Sequence, residues 1–385
     1  MDFRSIMNIP SHSKRVMIIA GESSGDLHGS KLVSAMYQKN RQLFFWGIGG
    51  QALKDAGVKI LVDASELSVV GITEVIPKMF SIIKGMSVVK KSLRTLNPDL
   101  LILIDFPDFN LHVAATAKKL NIPVLYYITP QVWAWRSGRV RKIGKLVDHV
   151  AVILPFEEDI FRKHKVPVTY VGHPLLDKEG DFDETVPKKR AELRPFIGLL
   201  PGSRDREIAR HLPVMLEAAR MIKRKMKDLK FIISLAPAVK RKYVEEIITK
   251  HHTLGDYELV GDKVDSVFER CKLVLAASGT VTLESAISGT PMIIIYKVSP
   301  VSYWLGRVLI RVKHIGLVNL IANKAVVPEL LQNEASPQKI AAMALKMLSD
   351  DKKLGRLADE LSNIRNLLGG PGASQRVADI ALNML

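Results

Sequence analysis

The stretch LVLAASGTVTLESAISGTPMIIIY, residues 273–296, predicts a strand, a tight turn, a helix, a second turn and a second strand. Leu273 to Ala277 is a short apolar run, as expected of a strand that is buried on both faces of a parallel sheet. A helix is expected from about Val281 to Ser288, and Gly289 and Pro291 end it. This order is that of a βαβ unit, so the stretch predicts an α/β fold.

The turn at Ser278, Gly279 and Thr280 is a candidate anion site. The first N–H groups of a helix lack intrahelical acceptors, and the helix dipole favours negative charge at that end. Glu284 follows one helical turn later, where it could reach a ribose. The alternative interpretation is an ordinary βαβ unit with a capped helix.

The composition indicates a globular protein with an anionic partner. The chain has 385 residues, of which 47% are hydrophobic and 25% charged, so an intrinsically disordered chain is excluded. Its formal net charge of +17 suits nucleic acid, an acidic membrane surface or phosphorylated substrates. Cys271 is the only cysteine, which excludes an internal disulfide and fits a reducing compartment.

No targeting or membrane-spanning segment is predicted. The N-terminal residues are polar and lack the apolar core of a signal peptide. No uninterrupted apolar run approaches the roughly 18 residues of a spanning helix. The expectation is a cytosolic protein that can lie on a membrane surface.

Strands and helices alternate along the whole chain, which predicts two doubly wound domains with parallel sheets and a cleft between them. The charged stretch from Asp177 to Pro195 lacks a helical apolar period and is expected to be the linker. The predicted boundaries are 1–185 for the first domain, 186–364 for the second and 365–385 for a C-terminal helical segment. Whether that last segment crosses to the first domain is left open.

Acidic residues follow the apolar strand Leu100 to Ile104 at Asp105 and Asp108. Ligands of open α/β sheets bind beyond the carboxyl ends of the strands, so these two carboxylates are catalytic candidates. The alternative is a turn or capping role, which is favoured more for Asp105. His28 and His173 are competing candidates for a catalytic base.

Two segments combine apolar and basic residues, Leu67 to Arg94 and Val301 to Ile315. One interpretation is a helix whose apolar face packs on the sheet. The other is a basic amphipathic surface that holds acyl chains or docks on anionic lipid, through Leu67 to Met86 and Val301 to Lys313.

Eight short motifs in one order resemble the lipid-A-disaccharide synthase family over nearly the whole chain. The most specific combination is WAWR beside DFPDFN. The motifs are AGESSGD at 20–26, IDFPDFN at 104–110, PQVWAWR at 130–136, GHPL at 172–175, LPGSR at 200–204, ASGTVTLE at 277–284, NLIAN at 319–323 and PELLQ at 328–332.

This resemblance implies an inverting glycosyltransferase of the GT-B fold, with two Rossmann-like domains around a cleft. The implied reaction joins UDP-2,3-diacylglucosamine to 2,3-diacylglucosamine 1-phosphate, and it yields a β-1,6-linked disaccharide 1-phosphate and UDP. No cofactor and no metal is implied, nor any nucleic acid. The implied location is the cytoplasmic face of the inner membrane, with peripheral attachment to its anionic surface.

The resemblance also implies roles for individual residues. Asp108 is the implied general base and Asp99 a second important acidic position, while Glu22 lies in a turn that faces the cleft. Arg204, with its neighbour Ser203, is the implied diphosphate ligand, and Asn319 is an implied UDP-site residue. Analogy with other GT-B enzymes adds a further set for UDP: Ser278, Gly279, Thr280, Glu284 and Glu329.

Two other interpretations are weighed beside this one. The first is a different GT-B enzyme, such as the peptidoglycan N-acetylglucosaminyltransferase or a UDP-sugar epimerase, which WAWR does not support. The second is a non-enzymatic nucleic-acid-binding protein, suggested by the positive charge and by Trp133 and Trp135.

Overall fold

A computed structural model describes residues 10, 12–67, 75–130, 138–177, 196–237, 239–251, 257–261, 264–299, 303 and 313–385, without the side chains of 75–79. Several sequence predictions lie outside these residues. They are the WAWR motif at 133–136, the apolar residues 68–74, most of the segment 301–312 and the domain boundary at 185/186.

The chain divides into two compact units, and each is described by itself. Unit 1 comprises Met1–Lys178 together with Leu368–Leu385, and unit 2 comprises Glu179–Leu367. The C-terminal segment therefore belongs to the same unit as the N-terminal residues. This segment begins at residue 368 and not at the predicted residue 365, because the preceding helix continues to Leu367.

Unit 1 is built on a seven-stranded sheet in which all neighbouring strands are parallel, in the order β3-β2-β1-β4-β5-β6-β7. The strands are β1 (Lys14–Ala20), β2 (Leu43–Gly49), β3 (Lys59–Asp63), β4 (Leu100–Ile104), β5 (Val124–Tyr127), β6 (His149–Val152) and β7 (Val168–Tyr170). The helices between them are α1 (Ser23–Lys39), α2 (Gln51–Asp55), α3 (Ala64–Leu67), α4 (Val75–Leu96), α5 (Pro107–Lys119), α6 (Gly138–Leu146) and α7 (Pro155–Lys163).

The strands of this sheet are apolar because helices cover both of its faces. All five residues of β4 are buried. Leu101 and Leu103 point into one core cluster, whereas Leu100, Ile102 and Ile104 point into the other. A central parallel strand is therefore apolar at every position instead of at every second one.

Unit 2 repeats this design with six parallel strands in the order β10-β9-β8-β11-β12-β13. The strands are β8 (Phe196–Leu200), β9 (Lys230–Ser234), β10 (Tyr257–Val260), β11 (Cys271–Ala277), β12 (Met292–Tyr296) and β13 (Glu329–Leu331). The helices are α8 (Asp205–Lys225), α9 (Arg241–His251), α10 (Asp265–Arg270), α11 (Thr280–Ile287), α12 (Leu317–Ala322), α13 (Pro337–Leu348) and α14 (Asp351–Leu367).

The predicted α/β fold with parallel sheets is confirmed in both units. The stretch 273–296 forms β11, α11 and β12, with β11 and β12 paired in parallel. Cys271 begins β11 and is buried, as expected of a structural thiol.

The last helix, α15 (Ala373–Asn383), packs against α1 in unit 1. Its N-terminus is held by Asp177, whose carboxylate accepts hydrogen bonds from the N–H groups of Gly372 at 2.7 Å, Ala373 at 2.9 Å and Ser374 at 2.8 Å. Burial raises the pKa of Asp177, but these bonds and one from the Ser374 hydroxyl outweigh it and hold the pKa below its ordinary value.

Asp177→Ala should lower the free energy of unfolding by about 1–2 kcal/mol, the usual cost of a lost helix cap. Because the folded pKa is depressed, this contribution is present above the ordinary aspartate pKa and is lost as the pH falls below about 4. Chemical denaturation and amide exchange of α15 measure both effects. Asp379→Ala is the matched control, since it removes the exposed Lys39–Asp379 ion pair between the same helices and should cost about 0.5 kcal/mol or less. Equal costs for the two variants would contradict the capping role.

Candidate active site

In unit 1, Glu22 follows β1 and Asp105 follows β4 at the same edge of the sheet. The two strands are neighbours, with Ala20 paired to Ile104, so the two carboxylates emerge side by side. Gly21 allows this close approach, because a Cβ at that position would lie 2.4 Å from the ring of Phe106. The motif AGESSGD therefore needs its first glycine for packing.

The chain turns sharply after β4. Asp105 and Phe106 both have left-handed backbone conformations with φ of 46°, which non-glycine residues rarely adopt. Two buried side chains hold the turn by donating to the Asp105 carbonyl oxygen, Asn110 Nδ2 at 2.7 Å and the Tyr126 hydroxyl at 2.9 Å. The Asp105 N–H donates to the Ile128 carbonyl at 3.1 Å. The backbone of Asp105 is thus held on both sides, at its carbonyl oxygen and at its N–H.

The Asp105 carboxyl group has a strongly perturbed pKa. Burial and the negative charge of Glu22 raise it to about 6, although a hydrogen bond from the Phe106 backbone lowers it. Desolvation and a like charge both disfavour the ionised form. A carboxylate with such a pKa can accept a proton near neutral pH far better than an ordinary aspartate.

Asp108 lies in the first turn of α5 and has a different environment. Its side chain is 79% exposed, and it forms an ion pair with Arg139 of α6. The structure therefore brings Asp108 to the same sheet edge as Asp105 and Glu22, but it leaves the carboxylate in solvent with a cation beside it.

Asp99 lies at the opposite edge of the sheet, because it precedes β4. Its N–H donates to the Arg15 carbonyl at 2.8 Å, and its carboxylate accepts from the Arg15 N–H at 2.7 Å. These bonds fix the start of β4 beside β1. The length of β4 separates Asp99 from Asp105 by about 20 Å.

Of the competing histidines, His173 is buried and His28 is half-buried. Leu175 N–H donates to Nδ1 of His173 at 3.2 Å, so the ring holds the short 3₁₀ helix Pro174–Asp177. Burial, with the charge of His28, lowers the pKa of His173 to about 3. Burial and the charge of Lys31 lower the pKa of His28 to about 4. Neither ring is poised to gain a proton near neutral pH.

In unit 2, the loops after β8 and β11 lie next to each other, since Leu200 pairs with Ala276. Ser203 and Arg204 form the loop that leads into α8, and both are exposed. The carboxylate of Glu207 accepts from Ser203 N–H at 3.0 Å and lies 3.3 Å from the Arg204 guanidinium. This acidic residue holds the loop in its conformation.

The second loop, Ser278 to Thr280, leads into α11. Ser278 N–H donates to the Ile295 carbonyl at 3.1 Å and extends the pairing with β12. Gly279 and Thr280 are exposed, and a Cβ at Gly279 would meet nothing within 4 Å. The space beside Gly279 at the N-terminus of α11 is therefore open, as an anion site requires. Glu284 is half-buried one turn later.

His211 of α8 was not singled out in the sequence. It is buried, and it accepts a hydrogen bond from Lys297 N–H at Nε2, 3.0 Å away. Nδ1 therefore carries the proton and donates to the Pro201 carbonyl at 3.0 Å. Burial lowers its pKa, which favours this neutral form. His211 thus ties the loop after β8 to the residue after β12, and no local motif in the sequence predicts such a bond.

Asn319 and Glu329 bond to each other and to their own loop. Asn319 is fully buried, and its amide makes four hydrogen bonds: to the Val327 carbonyl, to Glu329, and from the N–H groups of Val326 and Val327, at 2.7–2.9 Å. The Glu329 carboxylate also accepts from Ile315 N–H at 2.9 Å and Gly316 N–H at 3.1 Å. The structure does not bring the Asn319 side chain to the surface with Arg204 and Thr280.

Across the described ranges, no three histidine, cysteine, aspartate or glutamate side chains are grouped so that they could hold a metal ion. No helix in those ranges is long and apolar enough to cross a bilayer.

Comparison with known proteins identifies the family. A family model described as lipid-A-disaccharide synthetase matches residues 16–381. The chain belongs to this family. A lipid-A-disaccharide synthase from Syntrophus aciditrophicus is 48% identical over 97% of the chain and 98% of the relative. One from Geobacter metallireducens is 46% identical with the same coverage. The resemblance inferred from the motifs is confirmed, and the family is one of glycosyltransferases.

Solved structures agree on the fold. A UDP-GlcNAc 2-epimerase from Neisseria meningitidis bound to UDP-GlcNAc has a TM-score of 0.67 at 13% identity, over 96% of this chain and 100% of that one. A MurG from Acinetobacter baumannii has a TM-score of 0.61 at 16% identity, over 96% and 99%. These likenesses confirm the GT-B architecture alone. The family membership favours neither the epimerase nor the nucleic-acid-binding alternative.

Proposed function

We propose that the chain transfers 2,3-diacylglucosamine from UDP to O6 of 2,3-diacylglucosamine 1-phosphate, which releases UDP and forms a β-1,6-linked disaccharide 1-phosphate. Family membership supports the reaction. The observation that carries the mechanism is the Asp105 carboxyl group, raised in pKa to about 6 beside Glu22.

Transfer with inversion is a direct displacement at the anomeric carbon, so the acceptor hydroxyl must lose a proton as it attacks. The sequence alone favours Asp108 for this step. The environment of Asp105 fits the role better, because the residue is half-buried, its carboxyl group has a raised pKa and its backbone is held by buried side chains. In this proposal Glu22 tunes Asp105, and Asp108 with Arg139 lines the approach to it. Asp99 keeps a positioning role at the opposite edge.

Departing UDP needs stabilisation of negative charge. The loops of unit 2 offer the Arg204 guanidinium, the Ser203 and Thr280 hydroxyls and the N-terminus of α11 beyond Gly279. Glu284 is placed within reach of a ribose. Asn319 and Glu329 act through the loop that they hold, since their polar atoms bind the protein itself.

Asp105→Asn should lower the rate of acceptor-dependent UDP release by roughly 10²–10⁴, the usual contribution of a general base, without changing UDP affinity. Asp108→Asn is the matched control at the same edge, and it should retain far more activity. Comparing UDP release with and without the acylated acceptor tests the function itself. A larger loss in Asp108→Asn than in Asp105→Asn would return the base to Asp108.

The pH profile gives a second readout of the same base. Because Asp105 must be ionised to accept a proton, the rate should fall as the pH drops below about 6. The acceptor phosphate also titrates near 6. Glu22→Gln separates the two, since removing the negative charge lowers the pKa of Asp105 and should move the acid limb to lower pH. If the acid limb of the profile does not move in Glu22→Gln, the group that titrates there is the acceptor phosphate and not Asp105.

Arg204→Ala should weaken UDP binding by about 1.5–3 kcal/mol, as expected for a lost charge-assisted hydrogen bond. Calorimetry on the full chain measures this directly. The control is Arg224→Ala, in the last turn of α8, the helix into which this loop leads. This variant should bind UDP as the wild type does. An unchanged UDP affinity in Arg204→Ala would show that the diphosphate does not bind to this loop.

The acylated substrates imply a membrane surface, and α4 supplies a candidate for docking on the inner face of the inner membrane. Its outward face carries Phe80, 79% exposed, and Ile83, 60% exposed. Lys84, Lys91 and Arg94 continue the exposed face along the helix. An apolar tip beside bases suits an anionic bilayer. Leu67, at the start of the segment predicted from the sequence, belongs to the core instead, since it is fully buried.

Replacing Phe80 and Ile83 together by serine should lower binding to anionic vesicles by roughly a hundredfold or more, because each inserted side chain contributes about 1.5–3 kcal/mol. Added salt should weaken the wild-type binding. Sedimentation with vesicles measures both. Leu367→Ser, at an exposed leucine of unit 2, is the control. If the double variant sediments with vesicles like the wild type, α4 is not the docking face.

A further inference from the structure

The carboxylate of Glu207 lies against the Arg204 loop, residues 202–204 between β8 and α8. One carboxylate oxygen accepts a hydrogen bond from Ser203 N–H at 3.0 Å, and the other lies 3.3 Å from the Arg204 guanidinium. A backbone N–H and a guanidinium are donors that proteins commonly use to bind phosphate oxygens. An anion of the protein itself is thus bound to groups of the proposed diphosphate site.

The backbone of the Arg204 loop leaves room for the Glu207 side chain. Gly202 has a left-handed φ of 123°, which residues with a side chain rarely adopt. A Cβ at Gly202 would also lie 2.6 Å from Oε2 of Glu207 and 2.8 Å from its Cβ. The glycine of the LPGSR motif is therefore required for Glu207 to lie against the loop.

The ion pair between Glu207 and Arg204 is of a kind that a ligand can displace. Both side chains reach solvent, with 35% of Glu207 and 62% of Arg204 exposed. Ion pairs of this exposure contribute little to stability, because water also solvates both partners well. The Arg204 guanidinium can therefore leave Glu207 for a diphosphate without a large loss of free energy.

The negative charge of Glu207 acts on the carboxyl edge of the unit 2 sheet. Burial, and after it the charge of Glu207, raises the pKa of Tyr296 at the end of β12. Asp205, in the same first turn of α8, is exposed and adds a second negative charge. Acidic residues in a first turn stabilise the helix, but they repel an anionic nucleotide that approaches the same loop.

We propose that Glu207 is a positioning residue that holds the Arg204 loop in shape and competes with the diphosphate for Arg204, which favours release of the product UDP. The inference rests on the proposed function, in which Arg204 binds the diphosphate. The hydrogen bond from Ser203 N–H keeps the loop ready for the nucleotide, whereas the negative charge weakens nucleotide binding. Removing the charge alone should therefore strengthen UDP binding, and removing the hydrogen bond should weaken it.

Calorimetry of UDP with the full chain separates these two effects. Glu207→Gln removes the charge and keeps an oxygen that can accept from Ser203 N–H. This variant should bind UDP about fivefold more tightly than the wild type at low salt, the effect of one like charge at about 4 Å in water. The difference should shrink as salt is added. Glu207→Ala also loses the hydrogen bond, so it should bind UDP about tenfold more weakly than Glu207→Gln.

Glu217 provides the matched control, because it is 37% exposed and forms an ion pair with Arg220 at the same spacing on α8. Glu217→Gln and Glu217→Ala should both bind UDP as the wild type does, and thermal unfolding shows that each variant is folded. The proposal is wrong if Glu207→Gln binds UDP no more tightly than the wild type, or no more tightly than Glu207→Ala.

The proposed function fails in a different way. If the wild type releases no UDP with any acylated acceptor, the proposed reaction is wrong, and the order of UDP affinities among the Glu207 variants still tests the role of Glu207. If Arg204→Ala binds UDP as the wild type does, the diphosphate does not bind to the Arg204 loop, and Glu207 does not compete with it there.

Discussion

The carbonyl oxygen of Asp105 receives hydrogen bonds from Asn110 and from the Tyr126 hydroxyl, and the arrangement of unit 1 around its carboxyl edge depends on these two bonds. Both donors are fully buried, so breaking either bond would remove a partner from a buried polar group at a cost of about 1–3 kcal/mol. That cost is comparable to the strain of two successive left-handed residues. The bonds therefore maintain a turn that the backbone alone would not adopt.

The turn has a chemical consequence. It places half-buried Asp105 near Glu22, whereas Asp108, three residues later, lies in solvent against Arg139. Two aspartates in one short motif thus have different environments and can have different roles. Side chains also hold loops in unit 2. Buried His211 connects two loops by hydrogen bonds, and Glu207 holds the Arg204 loop. In both units, buried polar side chains fix loops at the carboxyl edges of parallel strands.

The amino-acid pattern was sufficient to predict the fold. Apolar runs such as Leu100–Ile104 and Met292–Tyr296, separated by helical segments, indicated two parallel sheets, and ordered motifs identified the family. Individual roles were harder to predict, because they depend on contacts between residues that are distant in sequence. The sequence favoured Asp108, because nothing local to the motif reveals the different burial and charge around the two aspartates. The saturated amide of Asn319 and the capping of α15 by Asp177 likewise appear only when the chain is folded.

The most direct measurement of this account is the titration of the Asp105 carboxyl group by NMR in the full chain labelled with ¹³C at aspartate carboxyl carbons, with Asp105→Asn used to assign the signal. The account predicts a pKa of about 6 for Asp105. A value near 4, that of an ordinary exposed aspartate, would contradict it, because Asp105 would then have no advantage over Asp108 as the base.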